Sequence, residues 1–282
     1  PPTPQPLPMN IRRIVRCVLP ATAALLLFAA CDMLVSHPYD VHVTGEKNLT
    51  EKNIALITEA MRGRTSIRFA VISDTQKCYD ETADAVEAIN ARADIDFLLH
   101  GGDLTDYGAT KEFLWQRDIL NGLAMPYVAV IGNHDCLATG VEAYRAVFGE
   151  LNFAFTAGNT RFLCLNTNAL EFDSPEPVPD FGFIRREVAN ARGAGIEKTV
   201  VLMHACPGSE QFNNNVAEEF QALIREMPGL QMCVYGHGHN VSADEFFGDG
   251  VMYYQCATVA KRSYLVFTLN ADESYEYQVV EF

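Results

Sequence analysis

Side chains able to hold a cation or move a proton recur along this chain in a regular setting. They are Asp74 and Gln76, Asp103 and Asp106, Asn133 and His134, His204, and His237 with His239. Each group closes an apolar run: Ile67–Ser73, Phe97–His100, Tyr127–Ile131, Thr199–Met203 and Met232–Tyr235. One Gly-Asp pair alone reads as a turn, and one histidine at the end of an apolar run reads as a structural residue. Repeated in order, the pattern gathers carboxylate, amide and imidazole at one edge of a sheet, because α/β sheets bind ligands beyond the carboxyl ends of their strands. Oxygen and imidazole donors together suit borderline divalent metals such as Zn, Mn or Fe, and the lack of Cys in the series argues against a thiolate site.

The elements that must position these groups alternate. Helices are expected over Thr50–Arg62, Glu81–Arg92 and Thr110–Leu123, with apolar residues on one face of each. The runs between them are short, uncharged and β-branched, as buried parallel strands are. Beyond Tyr144–Phe148 the character changes. Asn152–Ala157 and Arg161–Asn166 flank Gly158-Asn159, a pair that favours a tight hairpin. Helices over Phe181–Arg192 and Val216–Met227 alternate with the two later runs. Three strands, Val251–Cys256, Ser263–Leu269 and Tyr275–Glu281, then follow without helices. Early βα alternation and late antiparallel strands point to two sheets packed face to face, with helices outside.

The series Asp74-Thr75-Gln76, Gly102-Asp103-x-x-Asp106, Gly132-Asn133-His134-Asp135, His204 and Gly236-His237-Gly238-His239 resembles the calcineurin-like metallophosphoesterase superfamily. The resemblance runs from about Ile67 to the end of the chain. It implies an α/β fold, a four-layer αββα sandwich of two mixed β-sheets flanked by helices, and a site for two divalent metal ions. Matched position by position, it implies one ion held by Asp74, Gln76, Asp103 and His239. The second ion is implied on Asp103, Asn133, His204 and His237, with Asp103 bridging. His134 is implied as the proton donor to the leaving oxygen; Asp106 matches the family position that orients it, and reads equally as a cap of its own loop. The family usually carries His where this chain has Gln76. An amide oxygen is the poorer donor, so Gln76 is expected to ligate weakly or to act through water. Two readings follow: a hydrolase of phosphoric monoesters or diesters, or a catalytically weak metal-binding protein with a binding or assembly role.

Other candidates read more plainly. His100 is expected to be structural, and His37 and His42 solvated. Cys78, Cys136 and Cys206 follow site residues closely and are expected to pack behind them, while Cys164 and Cys233 sit in apolar runs as small buried hydrophobes. Lys77, Arg117, Lys261 and Arg262 read as solvated charges, and Gln211–Asn215 as a polar loop.

The chain carries a formal net charge of −15. Such a balance lacks the basic footprint of a nucleic-acid binder, and it would be repelled by anionic lipid heads. A small phosphorylated substrate is the expected partner. From Met9 the sequence runs through Arg12, Arg13 and Arg16 into an apolar stretch, Cys17–Ala30, shorter than the roughly 20 residues a spanning helix needs. Phe28-Ala29-Ala30-Cys31 resembles a bacterial lipoprotein box, which implies cleavage before Cys31 and a lipid on its sulfur. The expected organisation is therefore a signal segment over 1–30, a tether and helix over 31–66, and a metallophosphoesterase domain over 67–282. The protein is expected in the cell envelope, touching the membrane through its lipid alone.

Overall fold

The computed structural model describes residues 40–172 and 176–282. Cys31 and the apolar stretch before it lie outside the described residues, as does His37. Helix α1 (Leu49–Ala60) precedes β1 (Ile67–Ile72), α2 (Tyr79–Asn90), β2 (Phe97–His100), α3 (Thr110–Leu120), β3 (Tyr127–Ala129) and α4 (Gly140–Val147). The second half holds β4 (Phe153–Ala157), β5 (Thr160–Leu165), α5 (Phe181–Arg192), β6 (Lys198–Met203), α6 (Ala217–Ile224) and β7 (Leu230–Tyr235). It ends with β8 (Ser242–Asp244), β9 (Met252–Gln255), β10 (Ser263–Leu269) and β11 (Tyr275–Glu281).

The strands form two mixed sheets. One has the order β11-β10-β1-β2-β3 and the other β4-β5-β6-β7-β9-β8. Strands β1, β2 and β3 are mutually parallel, as are β5, β6 and β7, so the loops after them leave from one edge of each sheet. The two-residue side-chain period of a strand explains how each sheet is covered on both faces. On β1, Ile67, Phe69 and Val71 point into the layer between the sheets, where they meet Phe162, Val200 and Val234. Ala70 and Ile72 face the other way, against Val86 and Ile89 of α2 and Phe113 of α3. The second sheet mirrors this, with Val201 and Met203 packed against Ile184 and Val188 of α5 and Phe220 of α6. The result is the αββα sandwich that the sequence implied. Among the described residues, no helix is long and apolar enough to cross a membrane.

Several local readings need correction. The late strands are not all antiparallel: β9 runs parallel to β7, with Cys233 opposite Tyr253, because the chain loops back through β8 before re-entering the sheet. Strand β8, half-exposed at the sheet edge, has no apolar run to announce it. Helix α1 begins at Leu49 rather than at Thr50; Asn48 precedes it in a left-handed conformation, and Thr50 is buried. The hairpin does form across Gly158-Asn159, with Ala157 opposite Thr160.

Candidate metal centre

The site is built where the edge loops of the two sheets meet. After β1 and β2 the chain enters two loops that bond to each other: Asp74 N–H donates to the Gly102 carbonyl at 3.0 Å, and Thr75 N–H to that of Asp103 at 2.9 Å. Asp74, Asp103, His237 and His239 all have positive φ, between 53° and 64°. L-residues adopt this conformation at a cost of about 1–3 kcal/mol, and it concentrates at functional sites. Two glycines are required by proximity. A Cβ on Gly132 would lie 2.1 Å from Asp103 Oδ1, and one on Gly102 would lie 2.7 Å from His204 Nδ1.

Asp135 ties the loops after β2 and β3 together. Its buried carboxylate accepts from the backbone N–H groups of Leu104 (3.1 Å), Thr105 (2.8 Å) and Gly132 (2.9 Å), and from the Thr105 hydroxyl at 2.8 Å. Asp103 and Asn133 are thereby fixed relative to each other.

Two groups of ligand atoms converge across the sheets: Asp103, His204 and His237, and Asp74, Asp103 and His239, the atoms within each lying inside 4.8 Å of one another. Asp103 belongs to both. His204 donates Nδ1–H to the Gly101 carbonyl at 2.8 Å, leaving Nε2 at 3.4 Å from Asp103 Oδ2 and 3.0 Å from Asn133 Oδ1. His237 Nδ1 is also 3.0 Å from Asn133 Oδ1, so that amide oxygen stands between the two imidazoles. On the other side, Asp74 Oδ2 accepts from His237 N–H at 3.1 Å. Asp74 Oδ1 is buried, accepts no hydrogen bond, and lies 3.3 Å from His239 Nε2. Gln76 donates Nε2–H to Asp103 Oδ2 at 3.3 Å, and its Oε1 is buried without a partner.

These residues fit divalent cations. An enclosed carboxylate oxygen without a donor is costly unless a positive charge completes it. Burial opposes protonation of His204, yet the carboxylates of Asp103 and Asp74 outweigh it and lift its pKa to about 9. A field that holds a proton so firmly also attracts a metal ion.

His134 stands beside the shared carboxylate, its N–H donating to Asp103 Oδ1 at 2.9 Å and its side chain 39% exposed. Its orientation differs from the expected one. Nδ1 is 2.9 Å from the main-chain carbonyl of Asp106, while the Asp106 carboxylate is 3.9 Å away and paired with Lys77 at 2.7 Å. The fixed peptide oxygen, not the carboxylate, holds the ring. Lys77 is thus not a simple solvated charge.

The family model described as calcineurin-like phosphoesterase matches residues 67–241, more than half of the chain and every residue of both groups. The chain belongs to the calcineurin-like phosphoesterase family. It is 27% identical over 178 residues to the glycerophosphodiester phosphodiesterase GpdQ of Enterobacter lignolyticus (strain SCF1), covering 58% of this chain and 63% of that protein. It is 22% identical to a 3',5'-cyclic-nucleotide phosphodiesterase of Nostoc sp., covering 52% of this chain and 57% of that one. The chain therefore spans less than two thirds of either curated relative. Its fold is shared with a dimetal phosphatase from Danio rerio (TM-score 0.58, 12% identity), covering 77% of this chain and 99% of the other.

One contributor escaped the sequence reading: Glu210 lies 2.8 Å from His237 Nε2. The remaining candidates sit elsewhere. His100 is fully buried between Thr75 Oγ1 and the Gly102 N–H, and burial lowers its pKa to about 4, as suits a neutral structural imidazole. His42 is exposed. Arg117 is buried and donates to the Thr44 and Glu46 carbonyls, fastening the segment before α1. Arg262 pairs with Asp84 at 2.9 Å, and Lys261 reaches Asn240 at 2.8 Å. Cys136 is half-buried with Sγ 3.3 Å from the Gly132 carbonyl, behind the site rather than in it, while Cys164 and Cys233 are fully buried.

Proposed function

We propose that this protein is a metal-dependent hydrolase of phosphoric diesters. The observation that carries the reading is that Asp103 belongs to two converging ligand groups, one completed by His204 and His237 and the other by Asp74 and His239. In the reaction a water oxygen adds to phosphorus, one ester P–O bond breaks, and the departing alcohol takes up a proton. Divalent cations held by these groups, with Asn133 and Gln76 as amide donors, would neutralise the phosphate and activate the water.

The chain's own residues supply the rest. His134 offers the proton: with Nδ1 fixed on the Asp106 carbonyl, Nε2 is the ring nitrogen left free of that anchor, on a side chain that is 39% exposed. Asp103 aligns it through the His134 N–H. Local charge favours the singly charged diester over the doubly charged monoester. Lys77 is already paired with Asp106, and Glu210 adds a negative charge beside His237. Both curated relatives are also named as phosphodiesterases.

The test is turnover of bis(4-nitrophenyl) phosphate and of 4-nitrophenyl phosphate by the metal-stripped chain after adding Mn, Zn or Fe. The diester should be cleaved faster, and His134→Ala should lower kcat about 100-fold or more. No turnover of either ester, or an unchanged His134→Ala enzyme, would contradict the assignment. A second reading, a metal-binding protein with a binding or assembly role, draws on Gln76, which turns its amide nitrogen to Asp103. Metal binding without turnover would favour it.

We also infer export and a lipid on Cys31, from the basic-then-apolar leader and the Phe28–Cys31 sequence. The full-length protein should then partition with membranes, and Cys31→Ser should release it to the soluble fraction; membrane association kept by the variant would argue against the anchor.

A further inference from the structure

Strand β11 closes one edge of the first sheet, and among the described residues it pairs with β10 alone. Such an edge is commonly blunted by lysine, proline or a bulge, because its free N–H and C=O groups template another strand. The seven residues Tyr275–Glu281 contain none of these, and their ladder with β10 runs without a register shift. The ladder also fixes which groups are free. Asn270 N–H donates to the Ser274 carbonyl at 2.8 Å and Phe282 N–H to that of Arg262 at 3.0 Å, so the even-numbered residues bond inward. Backbone groups alternate sides along a strand, which leaves those of Tyr275, Tyr277, Val279 and Glu281 at the open edge. The side chains of these four share one face. On it the Tyr277 ring lies 4.7 Å from that of Tyr254 and 5.9 Å from that of Phe267, yet Tyr277 is 41% and Val279 48% exposed. The apolar layer between the sheets therefore runs out onto β11 and ends uncovered.

We propose that β11 is the docking edge for a second copy of this chain, the two strands pairing antiparallel about a two-fold axis at Gln278. The strand is complementary to itself in that register. Tyr275 falls opposite Glu281 of the second copy and Tyr277 opposite Val279, so every free N–H and C=O of the edge meets an outward-pointing group. An aromatic beside a β-branched side chain is a favourable cross-strand pair, and it covers the uncovered strip from both sides. Glu276 meets Val280, so no two carboxylates oppose each other. Moving the axis to Tyr277 would set Glu281 against Glu273, two like charges. The two-fold makes the contact isologous and closed, so it stops at a dimer.

The test is cysteine cross-linking combined with sedimentation equilibrium of the full chain in a density-matched neutral detergent. Gln278 faces its own copy in a non-hydrogen-bonded pair, where Cα atoms stand about 4.5 Å apart, within reach of a disulfide. Glu276 is about 13 Å from its own copy. With copper phenanthroline as oxidant, Gln278→Cys should form covalent dimers at least about tenfold faster than Glu276→Cys, with the parent chain as the control for native thiols. The parent should sediment at twice the chain mass. Val279→Pro removes an outward N–H and no bond to β10, so it should stay folded, checked by circular dichroism and melting temperature, and should sediment as a monomer. Two chains of net charge −15 repel, so added salt should raise the dimer fraction. A parent of single mass, a Val279→Pro dimer, or equal cross-linking at 276 and 278 would overturn the proposal. Dissociation on adding salt would do the same, since it would mark an ionic contact instead of a strand pair.

Discussion

Glu210 reaches His237 Nε2 at 2.8 Å from a loop 27 residues away in sequence. With Nε2–H donated to that carboxylate, Nδ1 is the nitrogen left facing Asn133 and the shared carboxylate of Asp103. Such an outer carboxylate fixes the tautomer and orientation of a ligating imidazole and typically accounts for 10–100-fold in metal affinity. Glu210→Ala should therefore weaken manganese binding by about tenfold or more in a chelator competition; unchanged affinity would show that the contact orients nothing. The ligand candidates themselves were legible in the sequence because each stands directly after an apolar run. Glu210 was not, since it sits in an irregular segment and acts only through a neighbour brought close by folding. Asp106 was read in the right place with the wrong atom: no sequence pattern separates a carboxylate contact from a main-chain carbonyl contact, and Lys77 claims the carboxylate.

The parallel strands set where the loops emerge, and Asp135 sets their spacing. Its carboxylate accepts from three backbone N–H groups and one hydroxyl, joining the loop after β2 to the loop after β3. Asparagine keeps the shape but turns an amide N–H toward backbone N–H groups, which only donate. Asp135→Asn should cost roughly 1–3 kcal/mol of stability in urea unfolding and should loosen metal binding with it. A variant as stable as the parent would mean that these loops are held by other contacts. At this scale the sequence was informative wherever a period could be counted. Strands β1, β2, β6 and β7 and the helices α2, α3 and α5 were visible as apolar runs or one-sided faces, with ends displaced by a few residues. Strand β8 and the parallel insertion of β9 were not visible. Neither depends on local pattern: β9 takes its direction from the route of the 240–251 loop, and β8 is only half-covered.

Across the whole molecule, the two sheets divide the ligand set. The first sheet delivers Asp74, Asp103 and Asn133, and the second delivers His204, His237 and His239; face-to-face packing of the sheets, with Phe69 and Phe97 against Phe162, brings the halves together. That meeting is a tertiary fact, reached from sequence through the family resemblance and not through periodicity. It also concentrates negative charge: in a chain of net charge −15, Asp74 and Asp103 are 0% and 1% exposed. Such a centre is stable when cations complete it. The most direct measurement is manganese titration of the metal-stripped protein, followed by electron paramagnetic resonance. Two ions per chain with an exchange-coupled signal are expected, because a shared Asp103 would hold them about 3.5–4 Å apart. Asp103→Asn should abolish the coupling. A single bound ion, or two ions with independent signals, would contradict a centre organised around Asp103.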